Sequence, residues 1–287
     1  MPLWNRLGVH PSKRRRGGVL ISHQSKLLAI GMGPRIHVAR RVQHASTGLA
    51  FLAVSHVIPG YPAGFCLLSL ATAAFYCVHR KRLVDDGWDA WYQARFGALL
   101  RDHERGEREQ VTGGDGSASP KDKSGRVGWK TQPRLPGAFY FLLGTAATTY
   151  LFPTPVARTS LLVLSLADPA AGLVGSWLSA RGFNIPWRSL ARRAGRGGAA
   201  EGGGPTVAGS AACAATAAAC TYAYIRPARG GAIPLVSRLV VGAVAAATEA
   251  AAGRVAIPSI GRLPDDNLLI PLVVGVVLSV QGIDGIQ

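Results

Sequence analysis

The stretch SLLVLSLADPAAGLVGSWLSARG, residues 160–182, is apolar for most of its length and carries one carboxylate, Asp168, near its middle. An acid at the bilayer centre costs roughly 2.5–3.5 kcal/mol on insertion scales, so in a membrane helix it marks a working site by default. Pro169 follows directly. An Asp-Pro pair reads as an N-cap followed by the first helical position, so the helix is predicted to break and restart here. Freed backbone at that depth is tolerated only against protein or a wet cavity. A plain capping role for Asp168 is the competing reading.

Working outward, apolar blocks recur at about 46–58, 62–78, 137–152, 156–180, 207–225, 232–252 and 268–281. The first is shorter than the roughly 20 residues that a straight span needs, so it starts nearer Arg41 or lies tilted. The predicted fold is all-α: a polytopic integral membrane protein of about seven helices joined by basic cytosolic loops. With a cytosolic N-terminus, the basic connections 79–136, 181–206 and 253–267 all fall on the cytosolic side, as the positive-inside rule requires. Residues 19–33 are apolar in part, but His23 and Lys26 interrupt them and they are not counted as a span.

Residues 1–39 form a basic tail or targeting segment without a single acid, and 40–284 form the membrane-embedded domain. Within it, 102–136 is polar, rich in Gly and Ser and mixed in charge, which predicts a disordered cytosolic insertion. Residues 88–100 read as an amphipathic helix lying along the interface.

The chain carries 32 Lys and Arg against 15 Asp and Glu, a net charge of +17. The basic residues lie between apolar blocks, and the Arg-rich loops lack interleaved aromatics for base stacking, so nucleic acid is not the expected partner. Cys66, Cys77, Cys213 and Cys220 sit in apolar blocks without a CxxC pair, which fits small buried hydrophobes rather than zinc or a disulfide framework.

Nine of the acids fall between 85 and 122; the other six are Asp168, Glu201, Glu249, Asp265, Asp266 and Asp284. Topology gathers the suspicious polar groups on the cytosolic side. Arg40 and His44 stand four apart on one helix face, where an arginine can grip phosphate and a histidine can orient or accept a proton. Arg41 is either a second phosphate ligand or a positive-inside anchor. Glu249 lies among small apolar residues and needs a cation, a metal or its own proton. Asp265, Asp266 and Asn267 open the last helix, and three polar groups exceed what one cap requires. Carboxylates at a helix mouth suit Mg²⁺, which takes one or two of them together with water and nucleotide phosphates. Gly172 and Gly175, one turn past Asp168, permit close approach by a phosphate or by another helix. There is no GxxxxGK[ST] loop, protein-kinase signature set, GxSxG elbow or HExxH.

Together these residues resemble the CTP-dependent lipid-alcohol kinases: diacylglycerol kinase of the CTP-using type, dolichol or polyprenol kinase, and phytol kinase. The blocks that carry the likeness are Arg40-Arg41-x-x-His44-x-x-x-Gly48, Phe96-Gly97-Ala98-Leu99-Leu100-Arg101-x-x-Glu104, Ala167-Asp168-Pro169-Ala170-Ala171-Gly172-x-x-Gly175, and Glu249 followed by Asp265-Asp266-Asn267-Leu268-x-Ile270-Pro271. Two positions depart from the family pattern. Ser176 stands where Arg is usual, and Pro205 replaces the Lys of a later block, Pro205-Thr206-Val207-Ala208-Gly209-Ser210. Arg181, Arg188, Arg192, Arg193 or Arg196 could supply the missing charge.

The resemblance implies transfer of the γ-phosphoryl of CTP to a membrane alcohol, diacylglycerol first and dolichol or phytol second. It implies Asp168, Asp265 and Asp266 on Mg²⁺ or another divalent cation, and Arg40, Arg41, Gly172, Gly175, Gly209 and Asn267 around the nucleotide. Asp168, Glu249 and His44 would be the catalytic groups. The expected partners are the nucleotide, the lipid alcohol and the bilayer, in the endoplasmic reticulum with the site facing the cytosol, or in the plastid envelope. A phosphatidate cytidylyltransferase and a non-catalytic membrane transporter or scaffold are the alternatives.

Overall fold

In the computed structural model, the described residues are 18–58, 61–108, 129–131, 133–183, 185–187, 205–225, 234–252, 256–257, 261–262 and 265–282. They form α1 (Gly18–Val57), α2 (Tyr61–Val84), α3 (Asp86–Phe96), a 3₁₀ turn (Gly97–Leu99), α4 (Asp102–Arg105), α5 (Gly137–Leu151), α6 (Thr154–Ala180), α7 (Val207–Tyr224), α8 (Leu235–Ala251) and α9 (Asp266–Val280). Two antiparallel ribbons, β1 (Glu107–Arg108) with β2 (Trp129–Thr131) and β3 (Ala256–Ile257) with β4 (Gly261–Arg262), complete an otherwise helical fold.

The central helix is α6, along which α1, α7 and α9 pack; α2 packs on α5, α5 on α9, and α8 on α7 and α9. Its buried stripe (Val156, Val163, Leu164 and Ala167) meets Cys213 and Ala217 of α7 and Ile270 and Val274 of α9. Helices α7 and α8 are built largely from Ala. Small side chains let their backbones approach, to the point that a Cβ on Gly242 would sit 2.5 Å from the Ala214 carbonyl oxygen. Four buried hydroxyls are spent within their own helices: Thr145, Thr159, Ser165 and Thr221 each donate to the carbonyl four residues back.

The predicted break at Asp168 does not occur. Helix α6 runs through Pro169 without interruption, and Asp168 lies mid-helix rather than at a cap. An interior proline removes one backbone donor and crowds the carbonyl four residues back. Here α1 supplies donors on either side of that point: Arg41 Nη1 donates to the Asp168 carbonyl at 2.9 Å, and His44 Nε2 to the Leu164 carbonyl at 3.3 Å.

Among the described residues two helices, Pro62–Val84 and Thr154–Ala180, are long and apolar enough to cross a membrane; Asp266–Val280 is apolar and shorter. The first predicted block, 46–58, is the C-terminal part of the 40-residue α1, which also runs through 19–33. The stretch 102–136 is ordered at both ends, because α4 and 133–136 pack into the fold and Glu104 is buried. The middle of that insertion, the Arg-rich loop 191–204 and the tail before residue 18 lie outside the described residues, as do Arg188, Arg192, Arg193, Arg196, Glu201 and Asp284. The predicted interfacial helix is α3 with its 3₁₀ turn. Asp85 caps it by accepting from Trp88 N at 2.9 Å, and it turns Asp89 and Tyr92 inward. Asp89 Oδ1 accepts from the fully buried Arg82 of α2 at 3.0 Å, and the same guanidinium stacks on Tyr92. Cys213 and Cys220 are free and buried, as expected of small hydrophobes, whereas Cys66 and Cys77 are exposed on α2.

Candidate functional site

Four segments far apart in sequence meet at one end of the bundle. Helix α1 brings Arg40, Arg41 and His44, the turn after α3 brings Arg101 and Glu104, α6 brings Asp168, and the mouth of α9 brings Asp265, Asp266 and Asn267. Arg41 Nη1 lies 3.7 Å from Asp168 Oδ1, and His44 Nε2 lies 3.9 Å from Asp168 Oδ2. Arg40 Nη2 stands 3.8 Å from Glu104 Oε1. Arg101 reaches Asp265 Oδ2 at 2.9 Å, Asp266 Oδ1 at 3.6 Å and Glu104 Oε1 at 3.9 Å. Both Asp168 and Asp266 act electrostatically on Arg40 and on Arg101, which makes this one charged chamber rather than separate pairs.

Local structure explains each placement. Glu104 accepts from Arg101 N at 2.8 Å and from Gly137 N at 3.0 Å, so one buried carboxylate ties the turn to the start of α5. Asp265 caps α9 by accepting from Asn267 N at 3.1 Å, while its other oxygen takes the Arg101 donor. Asn267 is 2% exposed; its Nδ2 donates to Asp265 Oδ1 at 2.7 Å and to the Gly137 carbonyl at 3.4 Å. A Cβ on Gly172 would collide with the Arg41 guanidinium, so the absent side chain is the space that lets Arg41 reach Asp168. Gly175 and Gly209 face each other across α6 and α7, where Thr206 Oγ1 fills the gap and caps α7 through Gly209 N. They are where the two helix backbones meet.

Three guanidinium groups face four carboxylates here, counting Arg40, Arg41 and Arg101 against Glu104, Asp168, Asp265 and Asp266. Burial and the neighbouring Asp266 push the Asp265 carboxyl up to about 7. Burial also opposes charge on Asp266, but Arg101 and a hydrogen bond from Asp265 outweigh it and hold that carboxyl down at about 2. The pair therefore shares one proton near neutrality. Burial and Arg101 lower the Arg40 pKa from its ordinary value. Arg101 loses by burial but is held above its ordinary value by Asp266, Asp265, Glu104 and Asp168.

His44 Nε2 is the donor to the Leu164 carbonyl, which can only accept; in the neutral ring Nδ1 is then the acceptor. The His44 ring stands edge-on to Phe141 at 5.0 Å. Beside the charges opens a cavity of about 350 Å³, lined by the polar Arg40, His44, Glu104 and Asn267 and by the aromatic Phe51, Phe75, Tyr92 and Phe141. With both kinds of side chain in its lining, it suits an amphiphile.

We compared the chain with models of known protein families, with curated proteins and with solved structures. Nothing matches.

Among the described residues no three His, Cys, Asp or Glu side chains stand close enough to cage a metal ion. An ion here would need ligands brought by its partner, which is how Mg²⁺ binds with nucleotide phosphates. The donor set fits that mode: Asp265 and Asp266 are adjacent, and the buried Asn267 Oδ1 has no hydrogen-bond partner. Glu249 lies on α8, outside the ion-pair cluster, yet it acts with Asp168 and Asp266 on Cys213, so it belongs to the same end of the bundle. Arg181, one of the substitutes considered for the missing cations, stacks on Trp177 at 3.8 Å and is exposed. The unassigned cation is Arg101. Arg101 and Glu104 carry part of the family resemblance, which assigns them no chemical role; an Arg and a Glu three apart beside apolar residues are the signal that marks them.

Proposed function

We propose that the protein is a membrane lipid kinase that moves the γ-phosphoryl of a nucleotide, by resemblance CTP, to the hydroxyl of a lipid alcohol, with diacylglycerol as the first candidate and dolichol, polyprenol or phytol as the second. One observation carries this reading: three arginines and the carboxylates Asp168, Asp265 and Asp266 converge beside a cavity whose lining includes both charged and aromatic side chains. Phosphoryl transfer asks for positioning and charge neutralisation more than covalent chemistry.

In this reading Arg40, Arg41 and Arg101 bind the phosphates, the guanidinium fork matching paired oxygens. Asp265 and Asp266 would hold Mg²⁺ together with the nucleotide's own oxygens, and the ion would supply charge neutralisation on the phosphates. The lipid oxygen attacks the γ-phosphorus, the bond to the bridging oxygen breaks, and the nucleoside diphosphate leaves. The hydroxyl proton passes to His44 Nδ1, with the ring oriented by the Leu164 carbonyl and Asp168. Glu249 orients from α8.

A membrane setting is supported by α2, whose apolar window is only 11% buried within the protein. Outward-facing Leu70, Val236, Leu239 and Val280 extend that apolar surface. About seven spans, a cytosolic site and residence in the endoplasmic reticulum, or alternatively the plastid envelope, complete the proposal.

The test is incubation of the purified full chain in nanodiscs with labelled CTP, Mg²⁺ and a panel of lipid alcohols. A phosphorylated lipid supports the kinase; a CDP-lipid, or no lipid product, overturns it. Asp168→Asn should abolish turnover while leaving membrane insertion intact.

A further inference from the structure

A second cavity of about 460 Å³ lies directly beneath the charged chamber. The same three helices line both, in consecutive turns. Helix α1 gives His44, Thr47 and Phe51 to the upper cavity and Phe51, Ser55 and Ile58 to the lower. Helix α5 gives Phe141 above and Thr145 and Thr149 below, and α2, running the other way, gives Phe75 above and Ala71, Leu67 and Gly64 below. Phe51 borders both and lies 5.9 Å from Phe141. The two cavities are therefore one groove, pinched at an aromatic pair. From Thr47 to Ile58 it follows α1 for about 16 Å.

The lower cavity is more apolar than its residue names suggest. Thr145 and Thr149 donate to carbonyls of α5 at 2.8 Å, and the Ser55 hydroxyl donates to Leu52 O at 2.6 Å. Hydroxyls satisfied by their own helix offer little to water or to a polar ligand, whereas their methyl and methylene faces suit hydrocarbon. The exception is Arg158, one turn of α6 short of Thr154 at the far end. Its Nε donates to Ser55 Oγ at 3.1 Å, another of its nitrogens donates to the Ser55 carbonyl, and it also hydrogen-bonds Tyr224. Among the described residues no carboxylate pairs with it. A methyl terminus cannot replace those hydrogen bonds, so a hydrocarbon chain gains by filling the groove and loses by pushing past Arg158.

We propose that this groove holds one hydrocarbon chain of the lipid alcohol, with its hydroxyl end at the charged chamber, and that Arg158 is the floor that sets the chain length accepted. This rests on the kinase reading only for the identity of the head group. Gly64 offers a clean handle, because a Cβ there meets no atom within 4 Å and would project into the lower cavity.

The experiment is photolabelling of the full chain in nanodiscs with octyl, dodecyl and hexadecyl alcohols that carry a diazirine on the terminal carbon, followed by peptide mapping. In the wild type the dodecyl probe labels Gly64, Leu67, Leu68, Ala71 and residues 157–161, the octyl probe stops nearer Phe51, and the hexadecyl probe is excluded. Gly64→Leu cuts labelling by the dodecyl probe about tenfold or more and spares the octyl probe. Arg158→Leu moves the length limit upward, so that the hexadecyl probe labels the groove. Label confined to outward-facing Leu70 or Val280, or a length profile unchanged in both variants, overturns the groove. If the groove is labelled and no phosphoryl transfer from CTP occurs, the kinase reading fails and the groove stands. If transfer occurs and the label falls outside, the groove fails alone.

Discussion

Arg101 Nη1 lies 2.9 Å from Asp265 Oδ2, although 164 positions separate them in the chain. The contact joins the turn after α3 to the mouth of α9, and it is the shortest ion pair of the chamber; the same guanidinium is also within ion-pair reach of Asp266 and Glu104. A cation shared by three carboxylates orders them in the absence of any ligand.

Replacing Arg101 with Gln should therefore lower kcat/KM for the nucleotide by about 10²–10³-fold, the usual loss when a preorganised charge donor is removed. Lys at this position should recover only part of the rate, because a point charge cannot serve two carboxylates as a fork does. Steady-state kinetics on both variants, with thermal unfolding to confirm that they fold, checks this. Equal activity of Gln and wild type would remove Arg101 from the site.

Gly172→Ala should act through Arg41. The added methyl takes the space of the guanidinium, so nucleotide affinity should fall much as it does in Arg41→Ala. The double variant should then be little worse than either single one. A coupling energy of about 0.5–3 kcal/mol in a double-mutant cycle is the expected readout for groups in contact. Additive losses would mean that Gly172 meets the ligand directly.

Stability of the ligand-free protein should carry the signature of the Asp265/Asp266 pair. Asp265 has a folded-state pKa of about 7, above its ordinary 3.8, so its contribution is full below pH 4 and is lost as pH rises through 7. Asp266 has a folded-state pKa of about 2, so its contribution is present above pH 4 and is lost as pH falls towards 2. The pair is thus most stabilising near pH 4. Compared with wild type, Asp265→Asn should flatten the decline between pH 4 and 7, whose slope is at most ~1.4 kcal/mol per pH unit for one proton. Thermal unfolding across that range in the presence of a chelator measures it.

What sequence determined by itself is the local layer. Apolar blocks set the helices because an amide backbone in an apolar setting must satisfy itself. Asp265 was legible as a cap and Arg40 with His44 as one helix face, since both depend only on neighbours a turn or less away. The gathering of Asp168, Arg41 and the last-helix acids at one end followed from topology. Tertiary structure alone decided the rest. Helix α6 runs unbroken through Pro169, and α1 donates across the interface to the Leu164 and Asp168 carbonyls, which no local rule contains. Glu104 sits in a stretch that composition reads as a disordered insertion, with Arg101 just before it, and only the packing of α5 and α9 buries Glu104 and gives Arg101 its carboxylate partners. Gly172, ambiguous in sequence, was settled by which side chain fills its space. The groove exists only where four helices leave a gap, and a gap between side chains from distant segments has no signature in the order of residues along the chain.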